Sequence, residues 1–352
     1  MKLNYLNLMI KPASECNLKC KYCFYNKVKP VTESMSMDYD VMEKIIEKSF
    51  EITNDFSVIN FNFQGGEPLL AGKNYFKEFI NKVNQLKERR IVNYTVQTNG
   101  ILIDYDWVKF FKANNFLVGL SIDGFKENND IYRIDKNNSG THQRILESYE
   151  LLKTNEIDTN ILTVLTRNLI NYPQHLYEFY KSNEMDYVQL IPCLDFGYLD
   201  YESLDLDKLS EFYRKLFKIY INDENPVNID FFQNIGIILS RKIPYKCGMK
   251  GFCETQLIID SKGQFYPCDF YTEEKYKLGD ISTDSLEEII NSNINDIFRS
   301  EKMDDSLCKR CRFSIICKGM CKKISTVYMN ISNDQCLIYD FLGFIVEGNF
   351  RR

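Results

Sequence analysis

Histidine is almost missing from this sequence: among 352 residues only His142 and His175 occur, and neither sits in a motif. Histidine-led acid–base chemistry and nucleophile–histidine triads are therefore set aside, and any general base has to be a carboxylate, a lysine or a tyrosine. Long apolar runs are missing too. No stretch approaches the ~20 apolar residues of a membrane span, and the opening MKLNYLNLMIKP lacks the apolar core and small-residue cleavage site of a signal peptide. Nor is positive charge in excess: 44 Lys and Arg face 49 Asp and Glu, giving a net charge of −5 and a pI of about 5.4. No basic field points toward nucleic acid. Internal repeats and low-complexity linkers are absent. What remains is a soluble, cytoplasmic globule, 44% apolar and 26% charged, with room for one large domain or a large and a small one.

Cysteine, by contrast, is abundant: there are twelve. In a reducing cytoplasm disulfides rarely persist, so this number points to metal rather than covalent staples. The first two hundred residues alternate short apolar runs (6–10, 58–63, 92–97, 116–122, 160–166, 187–191) with amphipathic stretches such as 37–52 and 75–88. That alternation predicts parallel βα units, as an open sheet or a barrel. In such barrels chemistry collects at the C-terminal strand ends. The first cysteine cluster, QGGEP, QTNG and SIDG each directly follow a predicted strand, so all would share one rim. Residues 1–200 are read as the barrel, 201–240 as a helical connector, 241–336 as a small metal-stapled domain with short strands, and 337–352 as a terminal helix.

Cys16, Cys20 and Cys23 form C-x3-C-x2-C with Tyr22 before the last thiol. A loop of this kind can wrap three thiolates round one cuboidal iron–sulfur cluster and leave one iron open; a zinc site, the alternative, usually recruits four ligands. Eight further thiols follow: Cys247, Cys253 and Cys268, then Cys308, Cys311, Cys317, Cys321 and Cys336. They suffice for two complete four-cysteine sites, which spacing alone does not pair. Cys193, in LIPCLD, is left over and reads as a buried inert thiol.

The rim motifs offer polar groups, each with a plainer reading. Gly65 and Gly66 permit close backbone approach to a ligand or simply make a turn. Ser121 and Asp123 could cap a turn, and Arg133 could be a solvated surface charge. Asp269, directly after Cys268, is either an exposed turn residue or a base whose backbone is pinned by metal.

C-x3-C-x-aromatic-C after the first strand of a six-unit βα chain resembles the radical SAM superfamily. That resemblance implies a partial (β/α)6 TIM barrel whose open iron chelates S-adenosylmethionine. It assigns Gly66, with Glu67 in support, to the methionine amino group, and Ser121 and Arg133 to the cofactor's polar groups. Guanidinium suits a carboxylate through paired donors. Tyr22 and Leu194 would flank the adenine. The C-terminal spacing resembles a SPASM domain with two auxiliary 4Fe-4S clusters, making three in all. By that resemblance one takes Cys247, Cys253, Cys268 and Cys321, and the other Cys308, Cys311, Cys317 and Cys336.

MIKPASECNLKCKYCFY, FQGGEPLLAG, VQTNGILID, FLVGLSIDG, CGMKGFC and YPCDFY resemble anaerobic sulfatase-maturating enzymes. The implied activity is oxidation of a cysteine or serine in a C/S-x-P-x-R-type peptide to formylglycine. A 5′-deoxyadenosyl radical removes the Cβ hydrogen, Asp269 takes the proton, and an auxiliary cluster takes the electron. Tyr25, Gln64 and Gln97 would line the mouth near the substrate, or be packing. An external electron donor such as flavodoxin or ferredoxin is expected. Leu69, Phe125 and the histidine-free ENNDIYR depart from the family pattern and bear on the substrate. Other SPASM enzymes form thioethers, epimers or crosslinks in ribosomal peptides, some through an extra domain before the barrel. Only fifteen residues precede Cys16, which favours the sulfatase-type reading. A zinc-stapled binding module without catalysis is the remaining alternative.

Overall fold

Along VINFNF, Ile59, Phe61 and Phe63 alternate with Asn60 and Asn62, and a strand sends such residues to opposite faces. The computed structural model describes residues 2–25, 36–194, 204–300 and 306–348. In it β1 (Leu3–Ile10), β2 (Thr53–Phe63), β3 (Ile91–Thr98), β4 (Phe116–Ser121), β5 (Thr159–Leu165) and β6 (Tyr187–Pro192) pair in chain order, all parallel. Each lies where a strand is expected. β2 alone starts well before its predicted residue 58, with a register irregularity against β1 between Leu3 and Tyr5.

Helices cover the outer face. In α1 (Tyr39–Ile52), Met42, Ile45, Ile46, Ser49 and Phe50 recur at helical spacing and are buried. α2 (Gly72–Leu86) sets Phe76 and Phe79 edge-on to Phe63 and Phe61 of β2, with ring centroids 4.9 Å apart in both pairs. Fully burying one such ring contributes roughly 1.5–3 kcal/mol. α3 (Tyr105–Ala113) adds Trp107, the sole tryptophan, which packs edge-on to Phe76.

The inner face is different. Asn62 donates to Asn7 Oδ1 at 3.0 Å and accepts from Thr95 at 2.8 Å; Asn93 donates to Asn60 Oδ1 at 2.8 Å. Parallel sheets covered on both faces read as continuous apolar runs, so this amide row marks an open lumen rather than a second packed layer.

The sheet does not close on itself. The stretch 201–240 contains, from residue 204 onward, a helix Leu206–Asn222 and a helix Asp230–Leu239. Between them β7 (Asn228–Ile229) extends the edge of β6. On the other edge β8 (Ile258–Ile259) pairs parallel with β1, and β9 (Gln264–Tyr266) and β10 (Gly279–Asp280) follow antiparallel. Asp260 shapes the β8–β9 turn, its Oδ1 accepting from Lys262 N and Gln264 N at 3.0 Å each. That hairpin delivers Cys268 and Asp269 beside the end of β1. A helix over Leu337–Glu347 packs Phe341 against Phe231 and Phe232. Among the described residues no helix is long and apolar enough to cross a membrane.

Candidate active site

The cysteine loop after β1 lies along the segment that follows Asn129, through Lys19 N to Ile134 O (2.7 Å) and Lys21 N to Tyr132 O (3.0 Å). Cys16 Sγ accepts from Leu18 N at 3.4 Å and Asn99 Nδ2 at 3.7 Å. Burial pushes the Cys16 thiol up to about 11 and the Cys20 thiol up to about 12, and the neighbouring loop thiols push each the same way. Three crowded, half-buried thiols, with the Glu67 and Asp123 charges also acting on Cys16 and Cys20, are a soft donor set, which fits iron–sulfur ligation. A cation is what such a set needs to ionise.

The two glycines of QGGEP make room for the chain itself. A Cβ on Gly66 would stand 2.1 Å from the Glu15 carbonyl oxygen, and Glu67 N donates to that same oxygen at 2.7 Å. Gly65, at φ +102°, leaves space for the stem of Lys11, whose Cγ a Cβ would meet at 2.7 Å. Glu67 is fully buried and ties β2 to β3: it accepts from Leu69 N (3.1 Å), Thr98 Oγ1 (2.7 Å) and Asn99 N (2.8 Å). Burial lifts its carboxyl to about 7, against the pull of those hydrogen bonds.

Asp123 is no simple turn cap. It is completely buried, and its Oδ2 meets Arg133 Nε at 3.0 Å and accepts from the Tyr22 hydroxyl. Its Oδ1 accepts from Arg133 Nη2 at 3.3 Å and Val164 N at 2.9 Å. Arg133 is therefore buried and paired, not solvated, and it holds one edge of its guanidinium toward Asp123. Its carbon lies 5.6 Å from the centre of the Tyr22 ring. Ser121 accepts from Gln97 Nε2 at 2.9 Å, and a Cβ on Gly119 would stand 2.1 Å from Gln97 Oε1, so that glycine lets Gln97 lie across β4. Cys193 and Leu194 are buried just past β6.

Asp269 gathers Tyr25, Gln64 and a residue that sequence reasoning does not single out, whereas Gln97 bonds Ser121 instead. Its Oδ2 accepts from the Tyr25 hydroxyl and from Gln64 Nε2 at 3.2 Å; its Oδ1 meets Lys11 Nζ at 2.6 Å. The Lys11 ammonium also sits 4.6 Å from the Tyr25 ring centre. Burial and the Asp269 charge raise the Tyr25 phenol well above its ordinary value, so it stays protonated and donates. A lysine directly after an apolar strand, with all the other rim motifs in that same position, was the available signal for Lys11.

The later thiols fall into two groups. Burial raises Cys247 to about 11, with Cys321 and Cys253 adding to it, and raises Cys268, with Cys321 and Cys247 adding. Cys317 rises to about 12 by burial, next to Cys336, Cys308 and Cys311. These last four line one cavity of about 280 Å³. Cys321 N donates to Gly248 O at 2.9 Å, which closes the first group across the chain. His142 is buried against Gly124 O at 3.1 Å and His175 stacks on Phe125.

Residues 10–179 match the Radical SAM superfamily, and residues 249–312 match the SPASM family, an iron–sulfur cluster-binding domain. A cysteine-type anaerobic sulfatase-maturating enzyme of Clostridium novyi is 37% identical over 96% of this chain and 94% of its own length. A serine-type anaerobic sulfatase-maturating enzyme of Bacteroides thetaiotaomicron is 27% identical over 90% of this chain and 83% of its own. The solved structure of native anSMEcpe with bound AdoMet and Cp18Cys peptide superposes with a TM-score of 0.86 at 32% identity, covering 98% of this chain and 97% of that one. The chain thus carries a radical SAM region followed by a SPASM region, and it belongs to the anaerobic sulfatase-maturating enzyme family.

Proposed function

We propose that this enzyme oxidises a cysteine or serine side chain of a sulfatase-type peptide to formylglycine. Cys16, Cys20 and Cys23 hold the cluster that binds S-adenosylmethionine, with Gly66, Ser121 and Arg133 on its amino-acid end and Tyr22 and Leu194 at its adenine. When bound, these cofactors and the two auxiliary clusters supply a hydrogen-abstracting radical and an electron sink. The chain's own residues supply the proton chemistry and the positioning.

The observation that carries this reading is the setting of Asp269. It stands one residue past Cys268 at the barrel mouth, with Lys11 on one carboxylate oxygen and Tyr25 and Gln64 on the other. Lys11 anchors Oδ1, which turns Oδ2 toward the lumen. Of the two neutral donors on Oδ2, Gln64 is the more distant, so an incoming thiol or hydroxyl displaces it and gives its proton to Asp269. Proton transfer needs hydrogen-bonding reach of this kind. Arg133, held by Asp123 along one edge, keeps its other paired donors for a carboxylate.

The enzyme works in the cytoplasm with an external flavodoxin- or ferredoxin-type reductant. The test is anaerobic incubation with reductant, S-adenosylmethionine and a C/S-x-P-x-R peptide, scored by mass for formylglycine. Deoxyadenosine release without any aldehyde would refute the assignment.

A further inference from the structure

We propose that the lumen of the partial barrel conducts water from its N-terminal end to Asp269, for a hydrolysis that a cysteine substrate requires and a serine substrate does not. The inference rests on the formylglycine reading above. Complete barrels fill their interior with layers of branched apolar side chains. Here the inner positions of β1, β2 and β3 include Asn7, Asn60, Asn62, Asn93 and Thr95, and the last two rungs before the rim are Gln64 and Gln97. All seven are solvent-accessible, from the exposed Asn93 at the lower end to the partly buried glutamines at the top, while the residues between them on the outer face are buried.

The lower rungs of the row are bonded across the strands. Asn60 donates to the Tyr5 hydroxyl at 2.9 Å and accepts from Asn93, and Asn62 bridges Asn7 and Thr95. An amide offers two donors and two acceptor sites, so these contacts leave Asn60 and Asn93 with capacity to spare. A buried water needs two to four polar partners, and this solvent-accessible row provides them. Its upper end is Gln64, which touches Asp269 at 3.2 Å.

The chemistry says why a water is wanted there. Removal of a hydrogen atom, a proton and an electron from the thiol side chain leaves a thioaldehyde, R–CH=S. One water then converts it to the aldehyde R–CH=O and releases one hydrogen sulfide, with no change in electron count. Carbon–oxygen bonds form, the carbon–sulfur bonds break, and both water protons leave with sulfur. The same oxidation of a serine hydroxymethyl group gives R–CH=O directly. A peptide seated at the C-terminal mouth stands between bulk water and the reacting carbon on that side, and the lumen opens from the other.

Asn62→Leu puts an apolar side chain of similar size into the middle of the row, away from every cluster thiol. With iron-loaded enzyme in excess over cysteine peptide, deoxyadenosine reports the oxidation and sulfide reports the hydrolysis. The expected result is deoxyadenosine at the wild-type rate with sulfide trailing it several-fold and a thioaldehyde peptide trapped on quenching; formylglycine from a serine peptide keeps its wild-type rate. Sulfide that keeps pace with deoxyadenosine in the iron-loaded variant overturns the proposal. If Asn62→Leu fails to retain iron, the isosteric Thr95→Val reads the same ratio, with a smaller lag expected and the same overturning outcome. Wild-type enzyme that releases deoxyadenosine but makes no aldehyde from either peptide refutes the function instead, and the water route falls with it.

Discussion

The barrel and the cysteine-rich region after residue 241 solve the problem of holding iron in opposite ways. The barrel builds an apolar shell first, with Phe61, Phe63, Phe76, Phe79 and Phe111 all fully buried, and seats its cysteine loop on the finished rim. After residue 241 the strands are two or three residues long and several helices span only four or five. Eight thiols gather there, beside a smaller apolar core that includes Phe265, Ile281, Ile289 and Phe298. Elements this short are not stable alone, and metal binding then becomes folding free energy. The sharpest way to break the contrast is to remove the iron. Chelation is expected to open the region after 241 to protease while Trp107, buried in the barrel, keeps its folded fluorescence. Simultaneous loss of both signals would show that the barrel, too, depends on metal.

Asp269 is where the two regions meet, since Lys11, Tyr25 and Gln64 reach it from the barrel side. Asp269→Ala should lower formylglycine formation by about 10²–10⁴-fold, the usual worth of a positioned base, with iron content unchanged. A fully active variant removes Asp269 from its role. Gly66→Ala comes next. Its Cβ would fall 2.1 Å from the Glu15 backbone, which has no flexible end to move aside. The loop carrying Cys16, Cys20 and Cys23 has to shift, so the variant should lose the rim cluster and cofactor cleavage but keep the auxiliary iron, as measured by iron content and electron paramagnetic resonance. Retention of all the iron would mean that the seat is softer than its geometry.

Both regions left traces in the sequence, of different kinds. Strand positions in the barrel were readable because apolar side chains alternate or cluster there, and the thiols were readable because cysteine has few other reasons to recur. Lys11 and Asp123 were not singled out correctly, because a charge in a sequence does not announce its partner: Lys11 meets Asp269, 258 positions later, and Asp123 meets Tyr22 across the rim. The glycines alone read as close approach to a ligand or as a turn, and only the folded chain shows how tightly Lys11 and Glu15 pack against them. The polar inner row was visible as Asn-x-Asn-x-Gln along β2, yet its meaning depends on whether the sheet closes, and pairing is not written in any single strand.

The mildest test of the comparison is pH, because the barrel's polar rim carries a buried carboxyl of its own. Glu67 titrates at about 7 in the fold against an ordinary value of 4.5, with burial the largest cause. Between those values the native protein holds a proton that the unfolded chain has released, so stability must fall as pH rises through this window and level off above about 7. At 1.36 kcal/mol per unit the change is on the order of 3 kcal/mol. Denaturation followed by Trp107 fluorescence isolates the barrel's share, and Glu67→Gln, whatever it does to absolute stability, should flatten the slope. A slope that survives in Glu67→Gln would assign the pH dependence to another group and mean that the three donors from Leu69, Thr98 and Asn99 offset the burial of the Glu67 carboxylate.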